Sequence, residues 1–267
     1  MPELLRTNVV AHLAFYRRSR LLLAFLLLFA VLTGLEFVPQ LFVPSGVQKF
    51  NTLRDILGTL NFFLLLFAAG LGLFIISAHL RNRSLKMVFT KPCPPYVWLG
   101  SAFLSAVIVA LLLDLIVLGG MTALSLFWHL PVRTGLLFVS ADTFITSIGL
   151  AAYLMLLATV LHPAIAAILA IIFNADMFYD GFVWAQSAIR AGNRSAGLRV
   201  LERAFHFLYL AAPILHPFSR QTENIYVSMR VMHDEWKYLL FSLGYSLALS
   251  AFCYFIALSA LQRKRHI

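Results

Sequence analysis

Residues 79–100 read HLRNRSLKMVFTKPCPPYVWLG, a basic segment set between two long apolar runs. Arg81, Arg83, Lys86 and Lys91 fall close together, and Pro92, Pro94 and Pro95 follow at once. Cations are expensive in a bilayer core, and proline removes a backbone donor and clashes with the preceding turn, so no membrane helix runs through this stretch. It separates two spans and is the part of the chain expected to touch another protein.

Working outward, the 267 residues are 61% hydrophobic and 12% charged, with a mean hydropathy of +0.86. A water-soluble domain of this size needs far more polar residues to cover its surface, so the composition predicts an all-α integral membrane protein. The formal net charge is +10. In a soluble protein that excess would suggest nucleic acid, but here most Lys and Arg sit at the ends of apolar runs, where they set topology and meet lipid headgroups. No nucleic-acid partner is expected. Cys93 and Cys253 are both expected as free thiols in a reducing compartment.

At the start of the chain, Leu5, Val9, Leu13 and Tyr16 recur at helical spacing, with Glu3, Arg6, Thr7 and Arg17 mostly off that stripe. The pattern predicts an amphipathic interfacial helix over 2–20 on the inner membrane surface, with a frayed polar leader as the alternative. Six spans follow, over about 21–37, 57–78, 97–127, 136–161, 164–184 and 238–261. The first follows the basic run RRSR, but no small-x-small cleavage site comes after it, so an uncleaved anchor is expected. Residues 38–56, with Pro39, Pro44, Gly46, Lys49 and Arg54, read as an external loop.

Six spans put both termini on one side. Arg6, Arg17, Arg18 and Arg20, the four cations of the 79–96 loop, and Arg263, Lys264 and Arg265 give that side eleven Lys and Arg, against Lys49, Arg54 and Arg133 in the short loops opposite. The positive-inside rule then makes both ends cytoplasmic. The loop 186–237 would be external although it carries seven more cations, because long loops obey the rule less strictly. Within it, Ala204 to Pro213 with Ile214 and Leu215 is apolar but too short to cross. It reads either as a re-entrant segment turning back at Pro213 or Pro217, with Phe207 at a candidate outer gate, or as an amphipathic helix lying flat on the outer leaflet.

The sequence holds no GxxxxGK[ST] loop, no HExxH, no GxSxG and no Cys/His set at zinc spacing. No cofactor is expected to bind directly. Asp176 and Asp180 are one helical turn apart and would share a face, which suggests a Mg2+ site in an intramembrane transferase; the plainer reading makes Asp180 an interface residue. Asp114 lies near the middle of its span, inside LLLDLIVL. A carboxylate there should face the bundle interior, either lining a translocation route or making an interhelical hydrogen bond.

The layout of six spans, an amphipathic leader, a basic proline-terminated loop after span two and a long loop before span six resembles the permease subunits of type-2 ATP-binding-cassette exporters. In that family a short coupling helix after the second span carries an acidic residue, a Gly-Thr pair, two apolar residues and a proline. The matching positions here are His79, then Arg83 and Ser84, then Val88 and Phe89, then Pro92. Gly100 falls near the family's glycine at the start of span three, with Ser101 where a lysine is usual, and FLYLAAPILHPFSRQ from Phe207 looks like the proline-containing segment before the last span.

The resemblance implies a non-catalytic permease in a bacterial cytoplasmic (inner) membrane. It would pair with a second permease subunit, identical or related, and with separate ABC ATPase subunits that bind ATP and Mg2+. Leu85, Val88 and Phe89 would enter the ATPase while Arg83 and Lys86 ring the contact. The alternatives are the metal-dependent transferase using Asp176 and Asp180, and a passive membrane anchor for an assembly.

Overall fold

A computed structural model of the chain describes residues 2–40, 46–81, 94–130, 134–173, 175–191, 195–212 and 233–265. The described residues form helices throughout: α1 (Pro2–Arg18), α2 (Leu21–Gln40), α3 (Gly46–Arg81), α4 (Pro95–Phe127), α5 (Thr134–Val160), α6 (Pro163–Ile172), α7 (Ala175–Arg190), α8 (Ala196–Ala211) and α9 (His233–Arg265). Among them, four stretches are long and apolar enough to cross a bilayer: Thr52–Ala78, Pro95–Phe127, Thr134–Val160 and Trp236–Arg263. The protein is a membrane-embedded helical protein.

The prolines that close the basic segment also start α4. Pro94 is extended and Pro95 sits in the first turn, where a missing N–H costs nothing. The Pro94 carbonyl accepts from the backbone N–H groups of Val97 and Trp98 at 3.0 and 3.2 Å. At the other end, His129 adopts a left-handed φ of 56°. Its N–H bonds the Leu126 carbonyl, and the Leu130 N–H bonds that of Ser125, a Schellman closure that satisfies the last carbonyls of α4.

Helix α5 is the centre of the bundle. Of its most apolar stretch 72% is buried, against 22% in α9, so α5 is enclosed by protein while α9 turns much of its surface outward. It packs against α3, α4, α6 and α9. The α3 contact is close because Gly72 lies against the Ala151 carbonyl, which a Cβ would approach to 2.6 Å. Helices α5 and α9 run parallel: Phe138 meets Trp236 edge to face at 5.5 Å, Gly149 faces Ser246, and Ser250 donates to the Ile148 carbonyl at 3.5 Å. Helix α4 runs antiparallel to α9, with Tyr254 donating to the Tyr96 carbonyl at 2.7 Å.

Helices α1 and α2 complete this core. Val9, His12 and Tyr16 of α1 are buried, Leu5 and Leu13 half-buried, and the stripe packs on α4. His12 meets Trp98 edge to face at 6.0 Å, Phe15 stacks on Phe74 at 5.4 Å, and the Tyr16 hydroxyl donates to the Leu71 carbonyl at 3.1 Å. After a turn at Ser19 and Arg20, α2 follows α4 toward its far end. Phe25 meets Phe67 at 4.9 Å, and Phe29 lies over Gly120.

Two expectations change. Residues 46–56, expected in a loop, extend α3, because Leu53, Ile56, Leu57, Leu60 and Leu64 form one helical stripe buried in the core. The expected fifth span, 164–184, is two helices. Helix α6 ends at Phe173, whose carbonyl accepts from the Tyr153 hydroxyl of α5 at 3.3 Å in place of a further intrahelical donor. The apolar run from Ala204 belongs to the continuous helix α8, with Ser195 capping the Leu198 N–H at 3.3 Å. Helix α8 pairs with α7: the Phe205 ring covers Gly181, Tyr179 meets Tyr209 at 5.4 Å, and Phe182 meets His206 at 5.1 Å. The re-entrant turn expected at Pro213 or Pro217 lies outside the described residues.

Candidate functional site

The polar residues of the bundle gather around the first half of α5. Ser140, Asp142, Thr143, Thr146 and Ser147 are all buried within little more than two turns. Thr143 and Ser147 return their hydroxyls to their own helix, to the carbonyls of Val139 at 2.9 Å and Phe144 at 2.6 Å. Ser140 instead reaches across to α4 and donates to Asp114 Oδ2 at 2.7 Å. The burial cost of Asp114 is thus partly met by one short interhelical hydrogen bond.

The α9 side of this cluster is a ladder. Ser242, Ser246 and Ser250 recur at every fourth residue, all buried, and continue into Cys253, Ala257 and Leu261. Four-residue spacing puts them on one face, and small side chains let the α5 and α9 backbones approach. By the same spacing Asp142, Thr146, Gly149 and Tyr153 share the α5 face toward α9. The C-terminal half of α4 and the N-terminal halves of α5 and α9 therefore form a polar seam, while their other halves meet in a hydrophobic one built on Leu99, Met155, Ala257 and Leu261. A cavity of about 10 Å³ between Leu99, Phe103, Ser250, Cys253 and Tyr254 lies at the transition. That is space for about one water molecule.

Three buried atoms in the seam have no hydrogen-bond partner among the described residues: Asp114 Oδ1, Thr146 Oγ1 and Ser242 Oγ. Each such atom costs about 1–3 kcal/mol, so three in one region mark it as the most polar and least satisfied part of the interior. Asp114 thus keeps one carboxyl oxygen without a partner among the described residues while the other accepts from the Ser140 hydroxyl.

Of the residues singled out in sequence, Asp114 stands in this seam, buried between α4 and α5. Arg83, Leu85, Lys86, Val88, Phe89 and Pro92, expected to couple to an ATPase, lie outside the described residues, as do Pro213 and Pro217. Phe207 is on α8 and 69% exposed. Asp176 and Asp180 both fall on α7, four residues apart, and Asp180 is exposed. Among the described residues no group of three or more metal-ligating side chains comes together. Ser140 and the serine ladder were not singled out; the every-fourth-residue recurrence at 242, 246 and 250 was the signal available for the ladder.

Compared with known protein families and with curated proteins, the chain matches none.

Proposed function

We propose that this chain is the transmembrane subunit of an ATP-driven exporter of the ATP-binding-cassette type. It crosses a bacterial cytoplasmic membrane six times with both termini inside, pairs with a second permease, and takes its energy from separate ATPase subunits. The observation that carries the reading is the attachment of α1. Through Tyr16, Phe15 and His12 this helix is fixed to α3 and α4 at the end of the bundle where the basic segment leaves α3 and re-enters α4. A push on that segment from an ATPase would move α1, α3 and α4 together, and α4 carries Asp114 into the polar seam.

The six-span layout draws support from helix directions. Because α5 and α9 run parallel, the chain must return across the bundle between them. Helix α6 makes about 15 Å of that return before its break, at 1.5 Å per residue over its ten residues. Helix α2, lying along α3 and α4, provides the remaining crossing. In this scheme the α7–α8 pair belongs to the outer side, and the seam around Asp114, Ser140 and Thr146 lines the route between the permeases.

The test is affinity purification of the full chain from its native membrane in mild detergent, with mass-spectrometric identification of what accompanies it. A stoichiometric nucleotide-binding subunit whose hydrolysis is lost on separation from the chain is the expected result. Purification of the intact chain alone from crosslinked membranes would overturn the reading.

A further inference from the structure

The outward face of α9 carries a feature that transport does not use. Near the C-terminal end of the helix a groove of about 620 Å³ runs along the surface, walled by Phe252, Phe255 and Ile256 and by Val160 from the end of α5, with Arg263 at its mouth. The wall is open: Phe252 is 63% and Phe255 65% exposed, although both are large aromatics. Ser259, also in the groove, gives its hydroxyl to the Phe255 carbonyl at 2.9 Å and so offers the groove little polarity.

Length and charge identify the occupant. From Phe252 to Arg263 the helix rises about 16 Å at 1.5 Å per residue. One leaflet of hydrocarbon is about 15 Å thick, half of the bilayer core. The apolar wall therefore spans one leaflet, and the guanidinium stands at headgroup level. Arg263 makes no ion pair among the described residues, and Lys264 and Arg265 follow it in sequence. A guanidinium at headgroup depth is matched to phosphate oxygens, which it binds through two parallel N–H donors.

We propose that this groove is a binding site for one anionic glycerophospholipid, with an acyl chain against Phe252, Phe255 and Ile256 and the phosphate on Arg263. The groove belongs to α5 and α9 alone and stands apart from the transport reading. A zwitterionic lipid of equal chain length fits the wall but brings its own cation to the basic mouth, so the site prefers the anionic one.

Native mass spectrometry of the full chain in mild detergent, titrated with phosphatidylglycerol or phosphatidylcholine of the same chain length, tests this. Phosphatidylglycerol is expected to bind more tightly. Arg263→Gln should weaken it about fivefold, the worth of one basic side chain at an anionic surface, and Arg263→Lys should restore part of the loss. Ile256→Trp, which fills the groove, should reduce both lipids. Thermal unfolding in detergent checks that the variants remain folded, as substitution at an outward face allows. Equal binding of both lipids by the wild type, or phosphatidylglycerol binding untouched by both Arg263→Gln and Ile256→Trp, overturns the proposal. So does efficient disulfide crosslinking between copies carrying Phe255→Cys in the membrane, because a second chain would then occupy the groove.

Discussion

Tyr16 of α1 donates its phenolic hydroxyl to the main-chain oxygen of Leu71 in α3 at 3.1 Å, and its side chain is fully buried. With the His12–Trp98 and Phe15–Phe74 ring contacts, it joins the polar N-terminal helix to the apolar bundle. Since α1 has little hydrophobicity of its own, its position depends on such anchors rather than on the lipid.

The first prediction concerns that anchor. Tyr16→Phe keeps the ring and loses the hydrogen bond, a cost of about 1 kcal/mol, because the Leu71 carbonyl retains its place in the α3 ladder. Tyr16→Ala also empties the site and should cost about 3–5 kcal/mol. Burial pushes the Tyr16 phenol well above the ordinary tyrosine value of 10.0, with a Ser105 hydrogen bond acting weakly the other way. The folded value exceeds the unfolded one, so the associated stability is complete below about pH 10 and is lost as pH rises through the folded value. Thermal unfolding in detergent between pH 7 and 11 should show a steeper alkaline loss for the wild type than for Tyr16→Phe.

Two glycines of α3 make a paired test of helix approach. A Cβ on Gly72 would meet the Ala151 carbonyl oxygen at 2.6 Å, whereas one on Gly70 would meet nothing within 4 Å. Gly72→Ala must push α3 from α5 against backbone that cannot rotate away, and about 1–3 kcal/mol of destabilisation is expected. Gly70→Ala should stabilise by about 0.5–1 kcal/mol, since it only removes freedom from the unfolded chain and improves helix propensity. Equal melting temperatures for the two variants would show that α3 and α5 do not pack this closely.

These sites also show what the sequence made legible. The α1 face was readable because Leu5, Val9, Leu13 and Tyr16 recur at helical spacing, and the buried residues lie on it. The apolar runs behind α4, α5 and α9 were readable by length. The early start of α3 was hidden because Pro39, Pro44, Gly46, Lys49 and Arg54 suggested a loop, while the Leu53, Ile56, Leu60 stripe specified a helix. The break after Phe173 was hidden for another reason: Asn174 and Asp176, which follow it, stand in a run that stays rich in apolar residues to Trp184 and read as part of one span. What ends α6 there includes a hydrogen bond from Tyr153, a tertiary contact with no local signal. Asp114 could be flagged from depth alone, but its partner Ser140 could not, since a serine in a span most often bonds its own helix.

The Asp114–Ser140 pair is suited to a double-mutant cycle. Their 2.7 Å hydrogen bond joins α4 to α5 in the middle of the polar seam. With Asp114→Ala, Ser140→Ala and the double variant, unfolding in detergent should give a coupling of about 0.6–1.7 kcal/mol, the range for polar contacts between membrane helices. Asp114→Asn alone should be near neutral, because the amide oxygen still accepts from Ser140 and no carboxyl remains to be buried. A coupling of zero would mean that the two side chains are not bonded in the membrane.

The last prediction bears on the basic segment between α3 and α4. If an ATPase docks there, Arg83→Glu with Lys86→Glu reverses two charges at the rim of the contact, where like-charge juxtaposition costs several kcal/mol. Membrane insertion should survive, because Arg81 and Lys91 still mark the loop as cytoplasmic and the spans themselves are untouched. Co-purification of the nucleotide-binding subunit should fall at least about tenfold, and the ATPase activity of the assembled complex should fall with it. Because Tyr16 ties α1 to the helix that leads into this segment, Tyr16→Ala should weaken coupling without weakening docking. Unchanged co-purification and hydrolysis in the charge-reversed variant would place the ATPase contact elsewhere and leave the segment as a topological determinant alone.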